Sequence, residues 1–171
     1  MASCRAMEIR IATAADAALL AEISERTFRE TFAADNTPEN MSAYLASAFS
    51  ESIQAAELAD PSTIFLIAEI DGAPAGYAKL QLDGDDAIEI NRLYAATERI
   101  GSGVGAALMK ASLDEASRRG REKVWLAVWD QNQRARAFYQ KWGFEYAGSK
   151  PFVLGDDVQT DLVMTRMSSR A

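Results

Sequence analysis

Three glycines, Gly101, Gly103 and Gly105, alternate with single residues directly before a segment with helical periodicity. The first N–H groups of a helix have no partner within the helix and carry a partial positive charge. Glycine lets an anion approach the backbone and permits positive φ angles. The spacing therefore predicts an anion site, and pyrophosphate is the usual ligand of such a loop. A tight strand-to-helix turn alone would need fewer glycines.

The residue types that are missing restrict the chemistry. The 171 residues include no histidine and a single cysteine, Cys4. Ser-His, Cys-His and histidine–metal chemistry are thereby excluded, and we expect no metal cofactor. Proton transfer has to use carboxylates, tyrosine, lysine, a terminus or water. One cysteine also excludes a disulfide within the chain.

The overall charge restricts the partners. A net charge of −7 argues against nucleic acid as a partner, because phosphates attract a basic face. No apolar run is long enough for a membrane span, and the N-terminus lacks the apolar middle of a signal peptide. We expect a cytoplasmic protein with a loose leader at 1–6 and a single domain at 7–168. An acidic chain suits a cationic small molecule, although acidic surfaces also simply keep proteins soluble.

Periodicity and turn residues predict the elements that position the glycines. Alternation predicts a first strand at 7–12, and apolar residues at helical spacing predict a helix over 14–32. Thr37-Pro38 and Ser50 have the residue types that start helices, which we expect to end near Ala48 and near Asp60-Pro61.

The second half of the chain alternates strands and helices. Asp71-Gly72 predicts a hairpin between two strand-like runs, and 83–86 predicts a second turn. The nearly continuous apolar run 123–129 predicts a strand buried on both faces. The remaining predicted elements are a strand at 87–95, a helix over about 103–119 ended by Gly120, a helix at 132–142, and two final strands in FEYAG and VQTDLVMTR.

Two other phosphate motifs compete for the glycines. A P-loop is excluded, because no Gly-Lys-Ser/Thr precedes the helix. The dinucleotide fingerprint fits Gly101–Ala106, and Asp130 stands where a ribose-binding acid is expected. That fingerprint normally follows its strand directly and opens the domain, whereas residues 96–100 intervene here. An NAD(P)-dependent oxidoreductase is therefore the second hypothesis.

Two longer runs, LYAATERIGSGVGAALMKASLDEA and VWLAVWDQNQRARAFYQKWGFEYAG, resemble the GCN5-related N-acetyltransferase (GNAT) family. Its signature Q/R-x-x-G-x-G/A places its two glycines on Gly103 and Gly105, with Ile100 at the Q/R position. Because Ile100 has no polar side chain, backbone N–H groups have to bind the phosphates. The second signature run is filled by Asn132, Ala135, Phe138, Tyr139 and Gly143-Phe144.

The resemblance covers nearly the whole chain and implies a fold and a co-substrate. The fold is one α/β domain, with a mixed sheet of about seven strands splayed between the fourth and fifth and four to five flanking helices. Acetyl-CoA would lie between the splayed strands. The residues implied to bind it are Leu93, Tyr94 and Ala95 for the pantetheine arm, Gly101, Ser102, Gly103, Val104, Gly105 and Ala106 for the pyrophosphate, Asn132 for the arm, and Lys141 for a phosphate.

The resemblance also implies catalytic roles. Tyr139 matches the family tyrosine that donates a proton to the departing thiolate. Glu89 stands where one branch of the family has its general base, and ordered water is the alternative. The oxyanion would meet a backbone N–H near Leu93 or Tyr94. We expect direct attack of a free amine on the thioester in a ternary complex; a CoA-binding module without catalysis is a third hypothesis.

The acceptor is the least specified part of the interpretation. Residues 27–49 resemble a bacterial subgroup that includes spermidine/spermine acetyltransferases, which implies a primary amine of a small cationic, polyamine-like acceptor. Phe28, Phe32 and Tyr44 are candidates to line its pocket, or simply core residues. Family members often form dimers, so a homodimer remains open. Carboxylates that could attract a polycation are Asp35, Glu39, Asp156, Asp157 and Asp161.

Overall fold

A computed structural model of the chain describes residues 6–168. Cys4 and residues 1–5 of the expected leader lie outside this range. The order of elements in chain sequence is β1 (Met7–Ile11), α1 (Ala17–Phe32), α2 (Pro38–Ala48), α3 (Glu51–Ala59), β2 (Thr63–Ile70), β3 (Ala73–Asp83), β4 (Ala87–Ala95), α4 (Val104–Arg118), β5 (Lys123–Trp129), α5 (Gln133–Lys141), β6 (Glu145–Leu154) and β7 (Asp157–Met167).

Local sequence signals determine where these elements start and turn. The Thr37 hydroxyl accepts the Asn40 N–H at 3.2 Å and so caps α2. Ser50 caps α3 in the same way. Asp71 and Gly72 both adopt positive φ, 52° and 80°, as a two-residue hairpin turn requires. The predicted caps and turns are confirmed.

The sheet has seven strands in the order β1-β2-β3-β4-β5-β7-β6. Its only parallel neighbours within residues 6–168 are β4 and β5, and they pair at just three positions, from Ala87↔Lys123 to Glu89↔Trp125. Beyond Glu89 the two strands diverge and leave a V-shaped gap. The predicted α/β fold with a splay between the fourth and fifth strands is confirmed.

Helices cover both faces of the sheet. On the α4/α5 face, Ile88 and Ile90 of β4 and Leu126 of β5 pack with Leu108 of α4 in the largest buried cluster. On the α1/α2 face, Leu20 and Ile23 of α1 pack with Phe65, Ile67 and Tyr77 of β2 and β3. The gap between β4 and β5 therefore connects two helical layers. No helix in the described part of the chain is both long and apolar enough to cross a membrane.

The prediction that β5 is buried on both faces is wrong. Val124, Leu126 and Val128 are buried on the α4/α5 face, while Trp125, Ala127 and Trp129 on the other face are only partly buried. Ala127 and Trp129 on that second face line a cleft. A run of hydrophobic residues cannot distinguish these two surroundings.

A bulge in β4 sets which side chains reach the cleft. Lys79 and Leu80 of β3 pair with Arg92 and Ile90, so Asn91 is the extra residue on β4. The extra residue reverses the alternation of faces. As a result Glu89 and Arg92, three residues apart, lie on the same α1/α2 face.

Candidate active site

A cleft of about 650 Å³ occupies the gap between β4 and β5. Residues from both faces of the sheet line it. Gly103, Asn132 and Tyr139 line it on the α4/α5 side, and Phe28 and Tyr44 line it on the α1/α2 side. A molecule in the cleft can therefore react with a second molecule that arrives through the opposite layer.

The glycine loop provides free N–H groups at the start of α4. Gly101 and Gly103 have φ angles of 86° and 90°, which only glycine adopts easily. Ala107 donates its N–H to the Gly103 carbonyl at 3.0 Å, which starts the helical ladder. The N–H groups of the three preceding residues, 104–106, have no acceptor in the helix and can bind an anion.

Two residues of the predicted anion loop contribute less than their position suggests. Ser102 donates its N–H to the Arg99 carbonyl at 3.1 Å, and its hydroxyl donates to the same oxygen. The Val104 side chain is 1 % exposed and packs in the core, so only its backbone is available to an anion.

Lys141 lies in the last turn of α5 and does not line the cleft, whereas Asn132 at the start of that helix does.

Two arginines that the sequence interpretation did not assign also line the cleft. Arg99 ends a short 3-10 turn before the loop, and Arg134 lies in the first turn of α5. Ile100 borders the cleft between them and is 44 % exposed. The only sequence signal for Arg99 was its position next to the signature Q/R. The sequence has no signal for Arg134, because it does not predict that the first turn of α5 lies near the glycine loop.

The free edge of β4 forms another part of the cleft wall. Leu93, Tyr94 and Ala95 line the cleft beyond the last position at which β4 pairs with β5. Their outward backbone groups can pair with an extended ligand as one strand pairs with another. These are the residues for which the sequence predicted contacts with pantetheine.

Tyr139 lies on α5 where the cleft meets the core. Its ring packs edge-on against Phe138 and Phe144, with centroids 5.5 and 6.0 Å away. Burial raises the pKa of its phenol to about 12. The hydroxyl makes no hydrogen bond with another of residues 6–168 and remains available to a ligand.

Glu89 lies at the vertex of the gap, because it is the last residue of β4 that pairs with β5. One carboxylate oxygen accepts the Asn91 side-chain N–H at 3.1 Å. The side chain lines the cleft from the α1/α2 face, opposite the layer that carries Tyr139. The structure thus brings the predicted acid and the predicted base to one cleft from opposite faces.

Aromatic rings line the α1/α2 end of the cleft. Phe28 contacts Phe32 and Tyr44, with ring centroids 4.5 and 4.6 Å apart. The chain of rings continues from Phe32 to Trp129 at 5.8 Å and from Tyr44 to Phe152 at 5.4 Å. Phe28 is buried in a core cluster and also lines the cleft, as Phe32 and Tyr44 do.

An ion cluster holds α3 against the wall of the same cleft. Glu57 of α3 pairs with Lys79 at 3.2 Å and with Arg92 at 3.3 Å, and all three side chains are largely buried. The Arg92 guanidinium also lies over the Phe49 ring, 4.7 Å from its centroid. Burial lowers the pKa of Lys79. These partners bind Arg92 within the protein although it lines the cleft.

Of the five acids that could attract a polycation, Asp161 differs from the rest. It lines the main cleft and is 8 % exposed. Asp35 is exposed beside a smaller neighbouring depression. The other three, Glu39, Asp156 and Asp157, are exposed and do not line either cavity.

Comparison with known sequences agrees with this geometry. The chain matches the acetyltransferase (GNAT) family over residues 20–144, which include the splayed strands, the glycine loop and Tyr139. The chain belongs to the GNAT family. Relatives of this chain are named N-acetyltransferases, and this enzyme class is assigned to the chain.

Relatives with similar sequences have the same class. An uncharacterized N-acetyltransferase of Lactobacillus delbrueckii subsp. lactis is 33 % identical over 151 residues, covering 84 % of this chain and 87 % of its own. One of Mycobacterium tuberculosis is 37 % identical over 151 residues, covering 88 % and 97 %. These similarities do not favour the oxidoreductase hypothesis, and none supports the spermidine/spermine subgroup.

A solved structure has the same fold. The PaiA N-acetyltransferase of Thermoplasma acidophilum, determined in complex with coenzyme A, superposes with a TM-score of 0.82 at 22 % identity. The alignment covers 95 % of this chain and 99 % of that protein. At this identity the likeness concerns the fold alone.

Proposed function

We propose that this GNAT protein transfers the acetyl group of acetyl-CoA to a primary amine of a small, cationic, polyamine-like acceptor, by direct attack in a ternary complex. The observation that carries the proposal is the cleft through the sheet, with Tyr139 on one face and Glu89 on the other. Free N–H groups and a free strand edge fit the co-substrate on the first face. An aromatic pocket with a buried carboxylate fits a cationic amine on the second.

Acetyl-CoA is proposed to bind on the α4/α5 face. The N–H groups of 104–106 and the glycines around them bind the pyrophosphate. The edge of β4 at 93–95 pairs with the pantetheine arm, and Asn132 contacts it from α5. Arg99 and Arg134 add positive charge at the phosphate end, where the signature residue is replaced by Ile100. Lys141 does not line the cleft and is not retained as a main contact.

The acetyl transfer makes three demands, and each has a candidate group. Glu89, directly or through water, accepts a proton from the ammonium so that the nitrogen lone pair can attack the thioester carbon. A backbone N–H near Leu93 or Tyr94 stabilises the oxyanion. When the carbon–sulfur bond breaks, the electron pair stays on sulfur, and the Tyr139 O–H supports that charge. The nitrogen loses its second proton as the amide forms, and this proton neutralises the thiolate through solvent.

Tyr139 acts mainly as a hydrogen-bond donor in this scheme. A phenol with a pKa of about 12 is a weaker acid than a thiol with a pKa of about 8.5. Complete transfer of its proton to the thiolate is therefore uphill, while a hydrogen bond to the developing charge is favourable. The tyrosine stays protonated throughout the physiological pH range and always offers this donor.

A direct experiment tests the proposal. The purified protein is incubated with acetyl-CoA and panels of polyamines, monoamines, amino acids, aminoglycosides and peptides, and free thiol is measured over time. Binding of acetyl-CoA is measured separately by calorimetry, with NAD(P) as the competing ligand. We expect acetyl-CoA binding and amine-dependent thiol release. Binding without release on any amine would leave the CoA-binding module as the function, and NAD(P) binding would restore the oxidoreductase.

A further inference from the structure

Asp161 is a buried carboxylate that has no partner within the described structure. It is 8 % exposed, and burial raises the pKa of its side chain. Among residues 6–168 no ion pair and no side-chain hydrogen bond engages its carboxylate. A carboxylate is normally buried only when a cation or several donors compensate the loss of water. The Asp161 carboxylate lines the cleft, so a cation from outside the chain can reach it there.

The neighbouring residues favour an organic cation as the partner of Asp161. Asp161 lies directly opposite Trp129 across the β5–β7 ladder, and the two side chains share the α1/α2 face. The Trp129 ring packs edge-on against Phe32, and both residues line the cleft with Asp161. Aromatic faces attract alkylammonium groups, and a carboxylate adds the charge-assisted hydrogen bond.

Lys150 is the one cation directly opposite Asp161, on β6; it lines the same cleft, and its charge partly offsets the effect of burial on the pKa of Asp161. Its ammonium lies over the Trp125 ring instead, 5.7 Å from the centroid, and forms no ion pair with Asp161. Arg92 lines the same cleft but is bound by Glu57. The cations of the protein therefore leave the Asp161 carboxylate without a salt bridge.

The register of the sheet gives the distance from Asp161 to the reaction centre. Glu89 is paired with Trp125, and Asp161 with Trp129, four residues farther along β5. At a rise of about 3.3 Å per residue this offset is roughly 13 Å along the strands. Because β4 and β7 lie on either side of β5, about 10 Å apart across the sheet, the two residues are roughly 16 Å apart. A cation at Asp161 is therefore not the nitrogen that Glu89 deprotonates. It is a second cationic group of the same acceptor.

We infer that Asp161 is a specificity-determining residue that binds the distal ammonium group of a diamine while the other amino group is acetylated. This inference rests on the proposed acetyl transfer and names the class of acceptor. A chain of four or five methylene groups advances about 6–7 Å, with carbon–carbon bonds of about 1.5 Å. Three hydrogen bonds of about 2.8 Å, one to Asp161 and two through a water that links Glu89 to the reacting nitrogen, bring the span to about 15 Å, close to the separation of the two residues.

The test compares 1,4-diaminobutane and 1,5-diaminopentane with n-butylamine, which has the same alkyl chain and no second ammonium. The wild-type enzyme is expected to show a kcat/KM for the diamines about 10- to 100-fold above that for the monoamine. In Asp161→Asn the kcat/KM for the diamines is expected to fall to the value that the same variant shows for the monoamine. Asp156→Asn is the control, because this exposed acid of the same hairpin lies outside the cleft.

The outcomes separate the two proposals. Equal kcat/KM for diamines and monoamine in the wild type, or a diamine preference that survives in Asp161→Asn, overturns the role of Asp161 and leaves acetyl transfer intact. If no amine is acetylated, acetyl transfer fails, and calorimetric binding of 1,4-diaminobutane to the CoA-saturated protein then decides the role of Asp161. Binding that is lost in Asp161→Asn supports that role; binding that is absent or unchanged overturns it.

Misfolding of the variant would not obscure the result. The diamine preference of the wild type needs no variant. Because folding raises the pKa of Asp161, its charged form destabilises the folded state at neutral pH. Asp161→Asn is therefore expected to unfold at the same temperature as the wild type or higher. A loss of diamine preference in a protein at least as stable as the wild type separates a binding role from a structural one.

Discussion

Tyr139 faces the cleft with a hydroxyl that no other described residue binds, so this hydroxyl is free to bind a ligand there. Removing the hydroxyl in Tyr139→Phe keeps the ring packing against Phe138 and Phe144. We expect kcat to fall about 100-fold, within the usual range for the loss of a hydrogen bond to a developing charge, with the KM for acetyl-CoA nearly unchanged. Thiol release under saturating substrate measures this.

The control for this change is Tyr146→Phe. The Tyr146 hydroxyl accepts hydrogen bonds from Arg136 and Gln140 on the protein surface and lies outside the cleft. Its removal is expected to leave kcat within about twofold, since surface changes rarely matter. If the two variants behave alike, Tyr139 has no role in the chemical step.

The contribution of Glu89 to kcat/KM is expected to be largest when the acceptor amine is protonated. Glu89→Gln keeps the size of the side chain and removes its basicity, so kcat/KM at pH 7 should fall about 100-fold. The defect should shrink as the pH approaches about 10.4, the usual pKa of a primary amine, because the free base is then already present. A pH series from 7 to 10 checks this, with Glu8→Gln on the distant strand β1 as the control. A defect that stays constant with pH would assign proton removal to water.

At the level of elements, Gly76 sets the contact between β3 and the start of α4. A Cβ at this position would lie 2.6 Å from the Tyr94 carbonyl oxygen and 2.8 Å from a Val104 methyl group. Gly76→Ala therefore has to displace the free edge of β4 or the first turn of α4. We expect a loss of about 2 kcal/mol in the free energy of unfolding and at least a tenfold weaker binding of acetyl-CoA.

Gly84→Ala distinguishes this local displacement from general destabilisation. Gly84 has a φ of 59° and no atom near its would-be Cβ, so the cost there is backbone strain of about 1 kcal/mol. Its turn is remote from the cleft, and acetyl-CoA binding should be unchanged. Urea unfolding and calorimetry measure both quantities. Unchanged acetyl-CoA binding in Gly76→Ala would show that the contact serves stability alone.

Elements with local signals could be predicted from the sequence. Thr37 and Ser50 cap their helices, and Asp71-Gly72 forms its turn, because each depends on hydrogen bonds or φ angles within a few residues. The burial of β5 could not be predicted, since it depends on what packs against the second face of the strand. The bulge at Asn91 likewise results from pairing with β3 and has no sequence signature.

The candidate site was predictable to the extent that motifs define it. Gly103, Asn132 and Tyr139 belong to recognisable runs, and the structure brings all three to one cleft. The sequence indicated no role for Arg99, and it did not distinguish Asp161 from the acids on the surface. Their significance comes from burial and from neighbours that are remote in sequence, and periodicity does not report either property.

At the level of the whole molecule, an ion pair joins the start of α1 to the edge of the sheet. Arg10 on β1 donates to both Asp16 carboxylate oxygens, at 2.8 and 2.9 Å, and also contacts Glu69 of β2. These hydrogen bonds from Arg10, with one from the Thr13 N–H, lower the pKa of Asp16 to about 2. The pair fixes the direction in which α1 leaves the sheet.

The lowered pKa makes a prediction about acid stability. A carboxyl whose pKa is lower in the folded state stabilises the fold above its unfolded value of 3.8, and this contribution is lost as the pH falls toward 2. Asp16→Asn should lose about 1–2 kcal/mol at pH 7, with allowance for the partly exposed Arg10, and the difference from wild type should vanish near pH 2. Urea unfolding at pH 2 to 7 checks this.

An exposed ion pair provides the comparison. Asp114 pairs with Lys110 at 2.9 Å on the surface of α4, and both side chains are more than half exposed. Asp114→Asn is expected to change the free energy of unfolding by less than about 0.5 kcal/mol at every pH. A difference between Asp16→Asn and wild type that does not depend on pH would mean that packing, not charge, explains the loss.

The divergence of β4 and β5 after only three residue pairs has a consequence for the order of events in turnover. Because the cleft is lined from both helical layers, the two substrates need not share an entrance, and each product can depart through the side by which its precursor arrived. Free coenzyme A should then compete with acetyl-CoA but not with the amine. A single compound that links coenzyme A to the amine through the gap in the sheet should bind more tightly than coenzyme A or the amine alone.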